Sequence, residues 1–167
     1  LPSHEFSFPV ICVGNITVGG TGKTPHTEYL ASLFANKFKI AILSRGYKRR
    51  SLGFISASSS SKVSDIGDEP LQIFRKFPEI IVAVDNDRVR GIKRIIKEYP
   101  GTEVVILDDG FQHRRVVPGL SILLTDFDRL FVRDHLLPYG NLRECKSNMR
   151  RADIIVVTKT PPDFAPI

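Results

Sequence analysis

The sequence predicts an α/β domain in three layers, a mainly parallel sheet with helices on both faces. Three observations carry the prediction. Apolar, β-branched runs recur along the chain, helix-period stretches fall between them, and polar residues stand at the carboxyl ends of the runs. The runs are PVICVG (9–14), KIAILS (39–44), IIVAVD (80–85), EVVILDD (103–109), LSILLTD (120–126) and ADIIVVTK (152–159). None alternates polar with apolar, which is the pattern of strands buried on both faces of a parallel sheet.

The elements between them follow in order. HTEYLASLFA (26–35) places Tyr29, Leu30, Leu33 and Phe34 on one helical stripe, read as a core face. SASSSSKVSD (56–65) reads as a Ser-rich loop, and DEPLQIFRKF (68–77) as a short helix with Asp68 as N-cap and Pro70 in its first turn. RVRGIKRIIKEY (88–99) carries a core stripe of Val89, Ile92, Ile95, Ile96 and Tyr99. TPPDFAP (160–166) reads as an extended connector, so the domain is expected to span 1–160, with 161–167 leading away from it. The opening at Leu1 and the end at TKTPPDFAPI read as a piece of a longer protein.

Composition narrows the function. With 167 residues, 42% of them hydrophobic, the chain can bury one sizeable core. Cys12 and Cys145 are too few and too far apart for a disulfide framework or a thiolate metal site, which favours a reducing compartment. No run reaches the roughly 18 apolar residues that a spanning helix needs. A net charge of +6 suggests an anionic partner: nucleotide, nucleic acid or an acidic membrane surface. Lys48, Arg49, Arg50, Arg150 and Arg151 read as solvated surface.

The chemistry enters at TVGGTGKT, residues 17–24, between a strand and a helix. In a phosphate loop, G-x-x-x-x-G-K-[ST], backbone amides cradle phosphate, the Lys reaches the β and γ oxygens, and the hydroxyl binds magnesium. Here Thr17 replaces the first Gly, while Val18, Gly19, Gly20, Thr21, Gly22, Lys23 and Thr24 complete the loop. Asp108, ending VVILDD, is the acid expected to hold Mg2+ directly or through water. Guanine selectivity usually accompanies N/TKxD; residues 158–161 read TKTP, with Pro where Asp is needed, so ATP is the expected nucleotide.

GNITVGGTGKTP, SRGYKR, GDEP, DDGFQHR and LREC, in this order, resemble the tetraacyldisaccharide 4'-kinase family across essentially the whole chain. The resemblance implies a three-layer phosphate-loop domain that transfers the γ-phosphate of ATP to the 4'-hydroxyl of an acylated glucosamine disaccharide 1-phosphate, giving lipid IVA. It also implies Mg2+ and work at the cytoplasmic face of the bacterial inner membrane; a monomer with no nucleic-acid partner is expected beside it. A membrane-associated helix before the first strand and a smaller C-terminal lobe are implied as well, both outside these residues. Asp68 is then the general base, partnered by a His of that lobe, and Lys23 is the other catalytic residue. Glu69 and Glu144 join Thr24 and Asp108 around the metal, while Arg45, Arg88, Asp109, Gln112 and His113 face substrate or phosphate. The family usually reads LREP where this chain reads LREC with Cys145. The rival reading is a phosphate-loop ATPase switch or a nucleic-acid-binding module, although no stripe of aromatics interleaved with Lys and Arg is visible.

Overall fold

The computed structural model describes residues 3–164. One sheet is built from β1 (Val10–Gly14), β2 (Ile40–Ser44), β3 (Ile55–Ser56), β4 (Ile81–Val84), β5 (Val104–Asp108), β6 (Leu120–Asp126) and β7 (Ile154–Thr158). Its order is β3-β4-β2-β5-β1-β6-β7, and every pairing is parallel except that of β3 with β4. The six predicted strands are all present; β3, two residues long, lacked any readable period.

Helices α1 (Lys23–Phe34) and α3 (Asp68–Lys76) cover one face. There Ile11, Val13, Ile42, Ile106 and Ile122 meet Ala31 and Ile73. Helix α4 (Arg88–Glu98) covers the other, with Val89, Ile92 and Ile95 against Ala41, Leu43, Val105 and Leu107. The stripe predicted for α4 holds at its first three members, whereas Ile96 is exposed and Tyr99 half-buried.

The stripe predicted for α1 is corrected. Tyr29 and Leu33 point outward, 60% and 46% exposed, and the helix instead buries Thr27 and Ala31 beside the half-buried Leu30 and Phe34. A polar residue sits on the inner face because Thr27 has a buried partner there, described below. Three further expectations change. Asp68 is the first helical residue of α3 rather than its cap; Gly67 holds that position with φ +92°, which a residue bearing a Cβ resists. The Ser-rich loop ends in a helical turn, α2 (Val63–Ile66). The connector does not run straight out: Phe164 N donates to Pro161 O, and the Phe164 ring packs edge-on against Phe127 with centroids 5.2 Å apart. Residues 165 and 166 of that expectation lie outside the described residues.

Two connections fix where ligands can bind. The chain leaves β1 through α1 on one face, and leaves the adjacent β5 through residues 109–119, which cross β1 on the other face without a helix. A crevice therefore opens beyond the carboxyl ends of β1 and β5, the usual ligand position in an open α/β sheet. Under the crossover, Phe111, Cys12, Ile16, Leu123, Phe131 and Leu142 form their own cluster. Beside it lies a cavity of about 320 Å³ with Cys12, Leu107, His113 and Arg151 in its wall. Edge strand β7 leaves Ile154, Ile155 and Val157 between 43% and 47% exposed, with Val156 half-buried against the core.

Candidate active site

The phosphate-loop candidate is held from outside. Val18 N donates to Asn141 O at 2.8 Å, Arg143 N donates to Ile16 O at 2.8 Å, and Thr17 bridges to Leu142. Asp134 shapes that supporting segment by accepting from the backbone and side-chain amides of Asn141 at 3.0 and 3.2 Å. From inside, the fully buried Asn15 donates to Thr21 Oγ1 at 2.9 Å and to Thr17 Oγ1 at 3.4 Å. Among the described residues, the amides of Gly19, Gly20, Thr21, Gly22, Lys23 and Thr24 take no acceptor. Six donors at a helix start, unclaimed by the protein, are available to an anion. Gly22, at φ +81°, makes the turn into α1.

Acidic groups stand opposite. Lys23 Nζ lies 3.6 Å from Asp109 Oδ1 and 3.5 Å from Asn15 Oδ1. Asp109 also takes Arg143 Nη2 at 3.2 Å; burial works to raise its carboxyl, but Lys23 and Arg143 outweigh it and hold it below the ordinary range. Asp108 is buried and accepts from Thr27 Oγ1 at 3.1 Å, which explains the polar inner face of α1. Burial, then the charges of Glu69 and Asp109, push the Asp108 carboxyl up to about 6. A site that gathers anionic charge in this way suits a cation.

Asp68 and Glu69 arrive by a close backbone crossing. A Cβ on Gly67 would lie 2.9 Å from Tyr47 O, so the GDEP and SRGY segments touch through glycine. Both carboxylates are exposed, and Asp68 makes no side-chain hydrogen bond within α3. Arg45 is exposed beside them and has no ion-pair partner among the described residues. His113 is held neutral far down the scale, to about 4, first by burial and then by Arg88 and Arg45.

Four expected roles do not match this geometry. Glu144 receives Gln112 at 2.9 Å, Arg151 at 2.7 Å, Asn148 at 2.9 Å and Arg114 at 3.2 Å, so the carboxylate expected at the metal is engaged by four donors of the protein itself. Gln112 spends its amide on Glu144 and on Asn15 O at 2.7 Å rather than on a sugar. Arg88 is 1% exposed and donates to the carbonyls of Asp85 and Asp108, bracing the ends of β4 and β5 instead of reaching phosphate. Burial lowers it to about 10. Arg49 and Arg151 are not solvated surface: Arg49 donates to Gly53 O at 2.8 Å, and Arg151 stacks on Phe111 while bonding Phe111 O at 2.7 Å.

Sequence reasoning gave no role to Asn15, Arg143 or Lys159, and placed Asp126 only as a polar residue at a strand's carboxyl end. Asn15 and Arg143 stand inside quoted motifs, GNITVGG and LREC, so the signal was present but unassigned. Asp126 and Lys159 are joined only by the fold.

The comparisons bear on the family and the fold. A family model described as LpxK, tetraacyldisaccharide-1-P 4'-kinase, matches residues 1–166. Tetraacyldisaccharide 4'-kinases of Bacteroides fragilis and Flavobacterium psychrophilum are 55% and 53% identical over 100% and 99% of the chain, which covers 45% and 48% of their lengths. A crystal structure of LpxK from Aquifex aeolicus in complex with ATP is 42% identical with a TM-score of 0.86, covering 95% of this chain and 50% of that one. The chain thus spans about half the length of the relatives it matches. With a family model covering nearly every residue and the same fold in a solved member, the chain belongs to the tetraacyldisaccharide 4'-kinase family.

Proposed function

We propose that this chain is the nucleotide-binding part of an ATP-dependent kinase that phosphorylates the 4'-hydroxyl of an acylated glucosamine disaccharide 1-phosphate, the step that gives lipid IVA. The observation that carries the reading is the set of unclaimed amides from Gly19 to Thr24 at the start of α1, with the Lys23 ammonium held 3.6 Å from Asp109. The amides cradle the β and γ phosphates, and the Lys23 charge strengthens its hold as negative charge builds during transfer. Arg45 lies free for the acceptor's phosphate or the transferring group. Asp68, exposed and uncommitted as a cap, accepts the proton of the sugar hydroxyl.

The residues present fit Mg2+. Among the described residues no three His, Cys, Asp or Glu converge into a cage, while magnesium characteristically takes one or two carboxylates and completes its shell with phosphate oxygens and water. Thr24, Asp108 and Glu69 are the residues assigned to it, and the bound ion would neutralise charge on the β and γ oxygens. The partner lipid places the enzyme at the cytoplasmic face of the bacterial inner membrane. No helix among the described residues is long and apolar enough to cross a membrane, so contact with that surface is assigned to peripheral charge or to other parts of the protein.

The test is transfer of labelled γ-phosphate from ATP to detergent-dispersed acyl disaccharide 1-phosphate by the full-length protein, with DNA- or RNA-stimulated hydrolysis measured in parallel. Lys23→Ala should abolish transfer in a folded protein. Asp68→Asn should cut turnover by about a hundredfold or more while leaving binding of an ATP analogue intact, the usual share of a general base. Wild-type transfer in Lys23→Ala would refute the nucleotide assignment, and hydrolysis driven by nucleic acid without lipid transfer would favour the switch reading.

A further inference from the structure

One ion pair, built on the Lys of TKTP, touches the phosphate loop from a side that the proposed mechanism does not use. Lys159, the residue after β7, donates from Nζ to Gly20 O at 2.9 Å and to Asp126 Oδ2 at 2.7 Å. Asp126 ends β6, is 4% exposed, and is itself fixed by the Asp128 amide at 3.1 Å. Lys159 adopts φ +57°, a left-handed backbone rare outside glycine, and strain of that kind persists where the surroundings enforce it and concentrates at functional sites. The neighbouring strand ends are bound together as well: Thr158 Oγ1 donates to Thr125 O at 3.2 Å, and Phe127 N donates to Thr158 O at 2.9 Å. The ends of β6 and β7 therefore hold an ammonium group against one carbonyl of the loop.

That carbonyl is a sensitive one. Gly19 and Gly20 are adjacent, and a Cβ added at Gly20 would meet nothing within 4 Å, so on its glycine side the Gly20–Thr21 peptide has neither side chain nor packing to hold it, while Thr21 is held on the other by Asn15. In a planar trans peptide the C=O and the next N–H point in opposite directions. Fixing Gly20 O on Lys159 consequently turns Thr21 N–H away from Lys159 and leaves it among the unclaimed amides of the loop. A peptide flip would direct an oxygen into the site where an amide is needed.

We propose that Lys159, anchored by Asp126, is a positioning residue that locks the Gly20–Thr21 peptide of the phosphate loop in its anion-binding orientation. The inference rests on residues 17–24 being a phosphate loop, and it adds a lock supplied from the opposite end of the chain. Lys159 touches no phosphate in this role; it acts through the loop. The ion pair also depresses the Asp126 carboxyl, chiefly through the Lys159 hydrogen bond, so the anchor stays charged.

The experiment uses the full-length protein and its Lys159→Met, Lys159→Arg, Asp126→Asn and Lys23→Ala variants. Calorimetry with Mg2+ and a nonhydrolysable ATP analogue is paired with hydrogen exchange of the loop amides in the nucleotide-free state. Lys159→Met should weaken the analogue by about tenfold, the scale of one charge-assisted hydrogen bond, and speed exchange across residues 19–22. Lys159→Arg, which can span both acceptors, should recover most of the affinity. Asp126→Asn should reproduce part of both effects, and it decides the matter should Lys159→Met fail to fold. Wild-type affinity in Lys159→Met, or weakened affinity with unchanged loop exchange, overturns the lock. Lys23→Ala separates the two readings: lost binding there with normal binding in Lys159→Met rejects the lock alone, whereas normal binding in both rejects the phosphate loop itself.

Discussion

At the scale of single residues, the site is governed by which charges the fold leaves uncompensated. Asp108 is buried with one hydroxyl partner, and Asp109 next to it is matched by Lys23 and Arg143, so adjacent carboxylates are driven in opposite directions. His113 shows the effect most simply. The unfolded imidazole takes a proton near 6.5, while in the folded chain burial and then Arg88 and Arg45 delay protonation to about 4. Between those values the unfolded state binds more protons, so His113 lowers stability as pH falls through that window and contributes nothing to its pH dependence above it. Replacing it by Gln should flatten the acid limb: urea midpoints of wild type and His113→Gln should change in step above pH 7 and diverge below about 6 in favour of the variant. Arg88 and Glu144 carry a complementary lesson. A charged residue in a motif was read as facing a ligand, yet an arginine 1% exposed and a carboxylate with four donors are structural, and only their long-range partners reveal it.

At the scale of elements, the strands and the loop–helix junction were legible because their signals are local: uninterrupted apolar runs, and glycines with Lys-Thr at a strand–helix boundary. The face of α1 was not. Its inner side is chosen by Thr27 meeting Asp108, a contact across 81 residues that no helical period encodes. The start of α3 misled for a related reason. Asp68 has the chemistry of a cap, but the backbone crossing between Gly46 and Gly67 sets the cap one residue earlier and leaves the carboxylate exposed. Gly67→Ala is therefore expected to be costly on two counts, positive φ and a 2.9 Å approach to Tyr47 O. Chemical denaturation should show a loss of about 1–3 kcal/mol, the range for such strain. Transfer activity should fall further than stability, since the crossing aims Asp68 and Glu69.

At the scale of the whole molecule, strand order does the assembly. Placing β5 beside β1 brings Asp108 and Asp109 to the loop from nearly a hundred residues away in sequence, and placing β6 and β7 on the far side brings Asp126 and Lys159 to its other flank. Asp108 was legible as an acid ending a strand, whereas the pairing of Asp126 with Lys159 on the other flank has no local signal. The helix-free crossover of residues 109–119 has a kinetic corollary. It covers Cys12, which is 3% exposed and pushed up to about 12 by burial, whereas Cys145 is exposed. A thiol reagent should therefore modify the protein in two separated phases, Cys145 at once and Cys12 only when the crossover lifts. The second phase is a clock for breathing of the segment that carries Asp109 and His113. Mg-ATP analogue should lengthen it without touching the first, making the sulfur under the crossover a built-in stopwatch for closure of the site.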